Sequence, residues 1–80
     1  MIEVRLFARA RDLVGADVIT VDVPDGATVS ELRGRLVARY PTLAGLLERS
    51  ALAVNGEFAD GAMVVPPGAE VALLPPVSGG

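Results

Sequence analysis

The 80-residue chain contains no cysteine, no histidine and no lysine, and each absence closes off a chemistry. Without cysteine there is no thiol nucleophile and no disulfide, which fits a cytosolic protein. Without histidine there is no imidazole base, and without either residue the usual soft metal sites cannot be built. Without lysine there is no Schiff-base amine and no internal side-chain amine for conjugation; all seven basic residues are Arg. A net charge of −3 argues against nucleic acid as the main partner, because phosphate contacts need a basic surface. No apolar run approaches the ~20 residues needed to cross a membrane. Glu3, Arg5, Arg9, Arg11 and Asp12 break up the start, which does not resemble a signal peptide. These exclusions predict a cytoplasmic protein that binds no cofactor or metal and is not an enzyme on its own.

What is present is hydrophobic. Such residues make up 51% of the chain, enough for one small domain with a compact core. Phe7, Tyr40 and Phe58 are the only aromatics, so that core must be aliphatic. Ile2 to Ala8 alternates with period two and predicts a half-buried strand, with Ile2, Val4, Leu6 and Ala8 facing one way and Glu3, Arg5 and Phe7 the other. Phe7 thereby falls on the charged face and is a candidate contact residue. Ala8 to Val14 also has the character of a short helical turn, closed by Gly15 in a left-handed conformation. Val18 to Val23 reads as a second strand, antiparallel to the first, ended by Pro24-Asp25-Gly26.

Thr28-Val29-Ser30-Glu31 matches the capping box that opens a helix. Val29, Leu32, Leu36, Val37 and Tyr40 then recur at helical spacing as one apolar stripe. Glu31 and Arg35 stand four apart on the outer side, where an ion pair is expected. Gly34 costs about 1 kcal/mol of helix propensity relative to Ala; close packing on the sheet is one reason for a glycine there, which the sequence does not decide. Pro41 stops the helix and starts a shorter one carrying Leu43, Leu46 and Leu47. Ala51 to Val54 is a third strand, followed by the tight-turn pair Asn55-Gly56 and a brief return at Glu57-Phe58. Met63 to Val65 is a further short extended piece. Glu70 to Leu74 is the last strand, with Val71 and Leu73 inward and Ala72 and Leu74 on the face that holds Phe7.

The order β-β-α-β-β predicts an α+β fold of the β-grasp, or ubiquitin-like, type: a mixed sheet of four to five strands against one main helix. The first and last strands then lie parallel at the sheet centre, and Phe7, Ala72 and Leu74 form an apolar strip on the uncovered face. An apolar strip where such a face is commonly polar suggests a partner surface. The expected domain is residues 1–74. Residues 75–80, Pro75-Pro76-Val77-Ser78-Gly79-Gly80, read as an extended flexible tail whose two prolines stiffen the exit and whose glycines leave a thin end.

Three stretches resemble the MoaD family, the small sulfur-carrier subunit of molybdopterin synthase, within the ThiS/MoaD-type ubiquitin-like superfamily. They are Leu6-Phe7-Ala8-Arg9-Ala10-Arg11-Asp12-Leu13-Val14-Gly15, then Ala53-Val54-Asn55-Gly56, and then Glu70 to Gly80. The resemblance implies that an ATP-dependent, MoeB-type adenylyltransferase activates the carboxylate of Gly80, and that a sulfur donor converts it to a thiocarboxylate. The tail would then enter a MoaE-type large subunit, in an expected heterotetramer, and pass sulfur to cyclic pyranopterin monophosphate. Gly80 is on this view the reacting residue and Gly79 its slender lead-in; Phe7, Leu74, Pro75, Pro76 and Val77 would form the partner contact. A thiocarboxylate supplies nucleophilic sulfur without cysteine, and acid–base groups would come from the partners. Two alternatives stay open: a sulfur carrier for thiamin, cysteine or tRNA thiolation, and a ubiquitin-like protein modifier or interaction module.

Overall fold

In a computed structural model, residues 1–75 are described. Five strands, β1 (Ile2–Leu6), β2 (Val18–Val21), β3 (Ala51–Val54), β4 (Glu57–Ala59) and β5 (Glu70–Leu74), form one sheet in the order β2-β1-β5-β3-β4. The central pair β1 and β5 is parallel; β1–β2, β3–β5 and β3–β4 are antiparallel. Three helices cross over: α1 (Ala8–Val14), α2 (Val29–Arg39) and α3 (Ala44–Leu47), the last entered through a 3₁₀ turn at Pro41–Leu43. This is the β-grasp arrangement.

Alternation selects the buried face of each central strand. Ile2, Val4 and Leu6 of β1 and Val71 and Leu73 of β5 are buried, and they meet Leu32 and Leu36 from α2 and Leu43, Leu46 and Leu47 from the connection after it. The core is aliphatic, as composition requires; of the three aromatics only Tyr40 packs against it.

Helix α2 owes its start to several local partners. Its first N–H groups have no carbonyl four residues back, and a buried helix end needs substitutes. The Val29 N–H donates to the Met63 carbonyl at 2.8 Å and the Ser30 N–H to the Gly61 carbonyl at 3.0 Å. The Glu31 N–H donates to Thr28 Oγ1 at 3.2 Å, and the Thr28 N–H returns a bond to Glu31 Oε1 at 3.2 Å, completing the capping box. Residues 61–65 are thus spent on capping the helix. In place of an independent strand at Met63–Val65 there is a single bridge, Thr28 to Val64.

Other expectations are corrected. Ala8 does not continue β1 inward: it is exposed, with φ 49°, and the chain turns there into α1. Gly15 does close α1 in the left-handed region, at φ 83°. β2 ends at Val21, two residues short of Val23. Glu31 is committed to its cap and Arg35 donates from Nη1 to the Asp22 carbonyl at 3.2 Å, so the two do not pair. Gly34 faces outward, and a Cβ added there meets nothing within 4 Å; it is not a close-packing residue.

Candidate functional site: an apolar patch at the tail exit

The sheet has a second face, which α2 does not cover, and register decides what gathers on it. Leu6 pairs with Leu73 and Arg5 with Ala72 across the parallel ladder. Phe7 follows Leu6 with extended backbone, φ −131° and ψ 155°, so the register carries it alongside Leu74 on the outer face. Leu74 pairs with Ala51, Ala72 with Ala53, and Ala53 in turn with Phe58. Four strands therefore contribute to one apolar surface: Phe7 from the end of β1, Ala72 and Leu74 from β5, Ala51 and Ala53 from β3, and Phe58 from β4.

Its relief comes from the two aromatics. Phe7 is 45% exposed and Phe58 77%, whereas Ala53 between them is only 9% exposed. Small residues on the central strands leave a shallow floor between two projecting rings. Leu74 and Pro75 are half-buried at its edge, where the chain leaves β5. A charged border closes the far side: Arg5 Nε lies 3.2 Å from Glu70 Oε1, both side chains well exposed. Asn55 anchors the adjoining hairpin to β5, accepting from the Glu70 N–H at its Oδ1 (3.0 Å) and donating its own N–H to the Glu70 carbonyl (2.8 Å).

The structure brings together the candidates Phe7, Leu74 and Pro75. Pro76, Val77, Gly79 and Gly80 lie outside the described residues. Phe58 was not singled out from the sequence, although the signal was there. Asn55 and Gly56 have φ 51° and 85°, a two-residue hairpin turn with both central residues left-handed. Such a turn pairs Val54 with Glu57 and Ala53 with Phe58, which sends Phe58 to the outer face.

Among the described residues no group of acidic side chains is arranged to hold a metal ion, and no helix is long and apolar enough to cross a membrane. A hollow of about 580 Å³ lies on the helical side between α2 and α3, against Arg33, Gly34, Val37 and Leu47. Glu48 and Ser50 also line it, and the Ser50 hydroxyl donates to the Leu46 carbonyl at 2.6 Å.

A five-stranded mixed sheet in this order, packed against one main helix, is the β-grasp fold of ubiquitin-like proteins. The chain belongs to the ThiS family, whose profile matches residues 4–80. It is 38% identical over 79 residues to the molybdopterin synthase sulfur carrier subunit of Arabidopsis thaliana, covering 99% of this chain and 82% of that protein. Among solved structures it is similar to the small archaeal modifier protein 1 of Haloferax volcanii, with a TM-score of 0.87, 31% identity and coverage of 95% and 97%. It is also similar to a chain from the complex of subunits 1 and 2 of the molybdopterin-converting factor of Helicobacter pylori (TM-score 0.69, 26% identity, coverage 99% and 97%).

Proposed function

We propose that this chain is a sulfur carrier for molybdenum cofactor biosynthesis, acting as the small subunit of a molybdopterin synthase. The observation that carries the reading is its near full-length similarity to sulfur carrier subunits of that enzyme. The apolar patch beside Pro75 supports it, because a carrier must dock while its end is extended into another protein. A free carboxylate is a poor electrophile. Adenylation of Gly80 by an ATP-using, MoeB-type partner releases pyrophosphate and supplies a leaving group; hydrosulfide-level sulfur from the donor then attacks the acyl carbon, the C–S bond forms as the C–O bond to AMP breaks, and loss of the S–H proton leaves the thiocarboxylate. That sulfur is then the nucleophile delivered to cyclic pyranopterin monophosphate within the large subunit. The chain itself binds no cofactor, and ATP belongs to the activating partner. The large subunit is the partner that covers Phe7, Phe58, Leu74 and Pro75, with Pro76, Val77 and Gly79 threading toward its active site. The H. pylori complex of two subunits is in keeping with such a pairing.

Reconstitution tests this directly. The chain with a Gly80 thiocarboxylate is mixed with a MoaE-type large subunit and the pterin precursor, and molybdopterin is measured. Product should form with the thiocarboxylate and not with the carboxylate. A chain shortened by Gly80 should retain its unfolding midpoint and form none. Absence of product from the intact thiocarboxylate rejects the molybdopterin assignment.

The similarity to a small archaeal modifier protein favours a second reading, attachment of Gly80 to other proteins. Recovery of Gly80 chiefly in isopeptide bonds in cells, with no thiocarboxylate detectable by mass, decides for it.

A further inference from the structure

An open sheet ends in strands whose outer backbone groups have no ladder partner, and β2 is such a strand. It pairs with β1 and, among the described residues, with nothing on its other side. The Leu6 N–H donates to the Asp17 carbonyl at 2.8 Å, so these two residues form a hydrogen-bonded pair of the antiparallel ladder. Bonded pairs alternate with non-bonded ones, which makes Val4–Ile19 and Ile2–Val21 the next bonded pairs. Val18 and Thr20 therefore turn their N–H and C=O groups to the free edge. Natural edges are commonly blunted by charge, proline or a bulge. Val18-Ile19-Thr20-Val21 has none of these: it is uncharged, β-branched throughout and in continuous register with β1.

Beside this edge, between β2 and α2, lies a hollow of about 320 Å³ lined by Thr20, Val21, Asp22, Arg35, Ala38 and Arg39. Two cations thus flank the open strand of a chain whose net charge is −3. Arg35 and Arg39 are exposed, and neither forms an ion pair among the described residues. Arg35 gives one N–H to the Asp22 carbonyl at 3.2 Å, and the Arg39 guanidinium lies 5.9 Å from the centre of the Tyr40 ring. A guanidinium has five N–H donors, so both retain donors for a carboxylate. Four positions apart on a helix, their Cβ atoms are about 6 Å apart. Side chains two residues apart on a strand share a face at about 6.6 Å, which is nearly the same spacing.

The geometry points to β2 as a docking edge for an extended segment of another protein that carries two carboxylate side chains two residues apart. The segment adds a sixth strand to the sheet. Its backbone pairs with Val18 and Thr20, and its carboxylates, on the α2 side, meet Arg35 and Arg39. A second copy of this chain is a poorer occupant. Antiparallel pairing of two β2 edges about a twofold axis puts both α2 helices on one face, with the arginines of each turned toward the other's. The edge shares no residue with the apolar patch of Phe7, Phe58 and Leu74, and the inference goes beyond the sulfur-carrier reading.

The probe is an acetylated and amidated peptide, Val-Thr-Glu-Thr-Glu-Thr-Val, whose pattern is the same in either strand direction. A control peptide has Gln in place of both Glu. Each is titrated at low salt into the isotope-labelled full chain, and amide shifts and hydrogen exchange are followed by NMR. Binding should slow exchange at the Val18 and Thr20 amides and leave Ile19 and Val21, already paired with β1, unchanged. The Gln peptide should bind about threefold more weakly or worse, and so should the Glu peptide to the double variant Arg35→Gln/Arg39→Gln. Equal binding of the two peptides, undiminished binding to the double variant, shifts centred on Phe7 and Phe58, or no saturable shift at millimolar peptide overturns the inference. So does dimerisation of the free chain that itself slows Val18 and Thr20, since a second copy is then the occupant. None of these readouts involves Gly80, so failure of sulfur transfer leaves them unaffected.

Discussion

Arg33 shows how much one side chain can hold. Its Nη1 donates to the Leu47 carbonyl at 2.8 Å and its Nη2 to the Ser50 carbonyl at 2.9 Å, capping the end of α3 and the turn into β3 from a neighbouring helix. Ser50 Oγ adds a bond to the Leu46 carbonyl at 2.6 Å. Substitution Arg33→Met keeps the aliphatic stem and removes the donors, leaving part-buried carbonyls unpaired. We expect a loss of about 1–3 kcal/mol in denaturant unfolding. Arg5, by contrast, pairs with Glu70 in solvent, where such pairs contribute little. Phe58 belongs to a third category. Its ring is almost free of the core, so Phe58→Ala should leave the unfolding midpoint within error. If the patch docks the large subunit, the same change should weaken that association about tenfold or more by calorimetry, since exposed aromatics are common anchors of interfaces.

At the scale of elements, α2 was legible in detail because its signals are local. The Thr28 and Glu31 side chains form the box that their spacing implies, and Val29, Leu32 and Leu36 are buried along the stripe. Thr28→Ala should cost about 0.5–2 kcal/mol, measured by thermal or urea unfolding. Gly34 was undecided in the sequence because a glycine in a helix has two opposite explanations, close approach or tolerated weakness, and only the surroundings distinguish them. With open space around it, Gly34→Ala should stabilise the protein by up to about 1 kcal/mol. A destabilisation would mean that the hollow between α2 and α3 closes over this position. The Glu31–Arg35 pair failed for a similar reason: each group had a backbone partner that the helical wheel does not display.

For the whole molecule, the consequential feature is the parallel pairing of β1 and β5. It puts the first and last strands side by side at the sheet centre and sets Phe7 beside Leu74. The flanking hairpin β3–β4 then extends the apolar floor from Ala51 and Ala53 to Phe58. What the domain provides is a sheet with an exposed apolar area where β5 ends.

The sequence by itself determined the element order, the inward face of β1 and β5, the capping box of α2, the aliphatic core and the absence of cysteine, histidine and lysine. These follow from period, turn chemistry and composition, which act over a few residues at a time. The tertiary structure decided the rest. It spent residues 61–65 on capping α2, turned Ala8 out of β1, opened the space at Gly34 and brought Phe58 into one surface with Phe7. Each of those outcomes depends on which distant backbone groups come to need partners, and that is settled only when the sheet and helices meet.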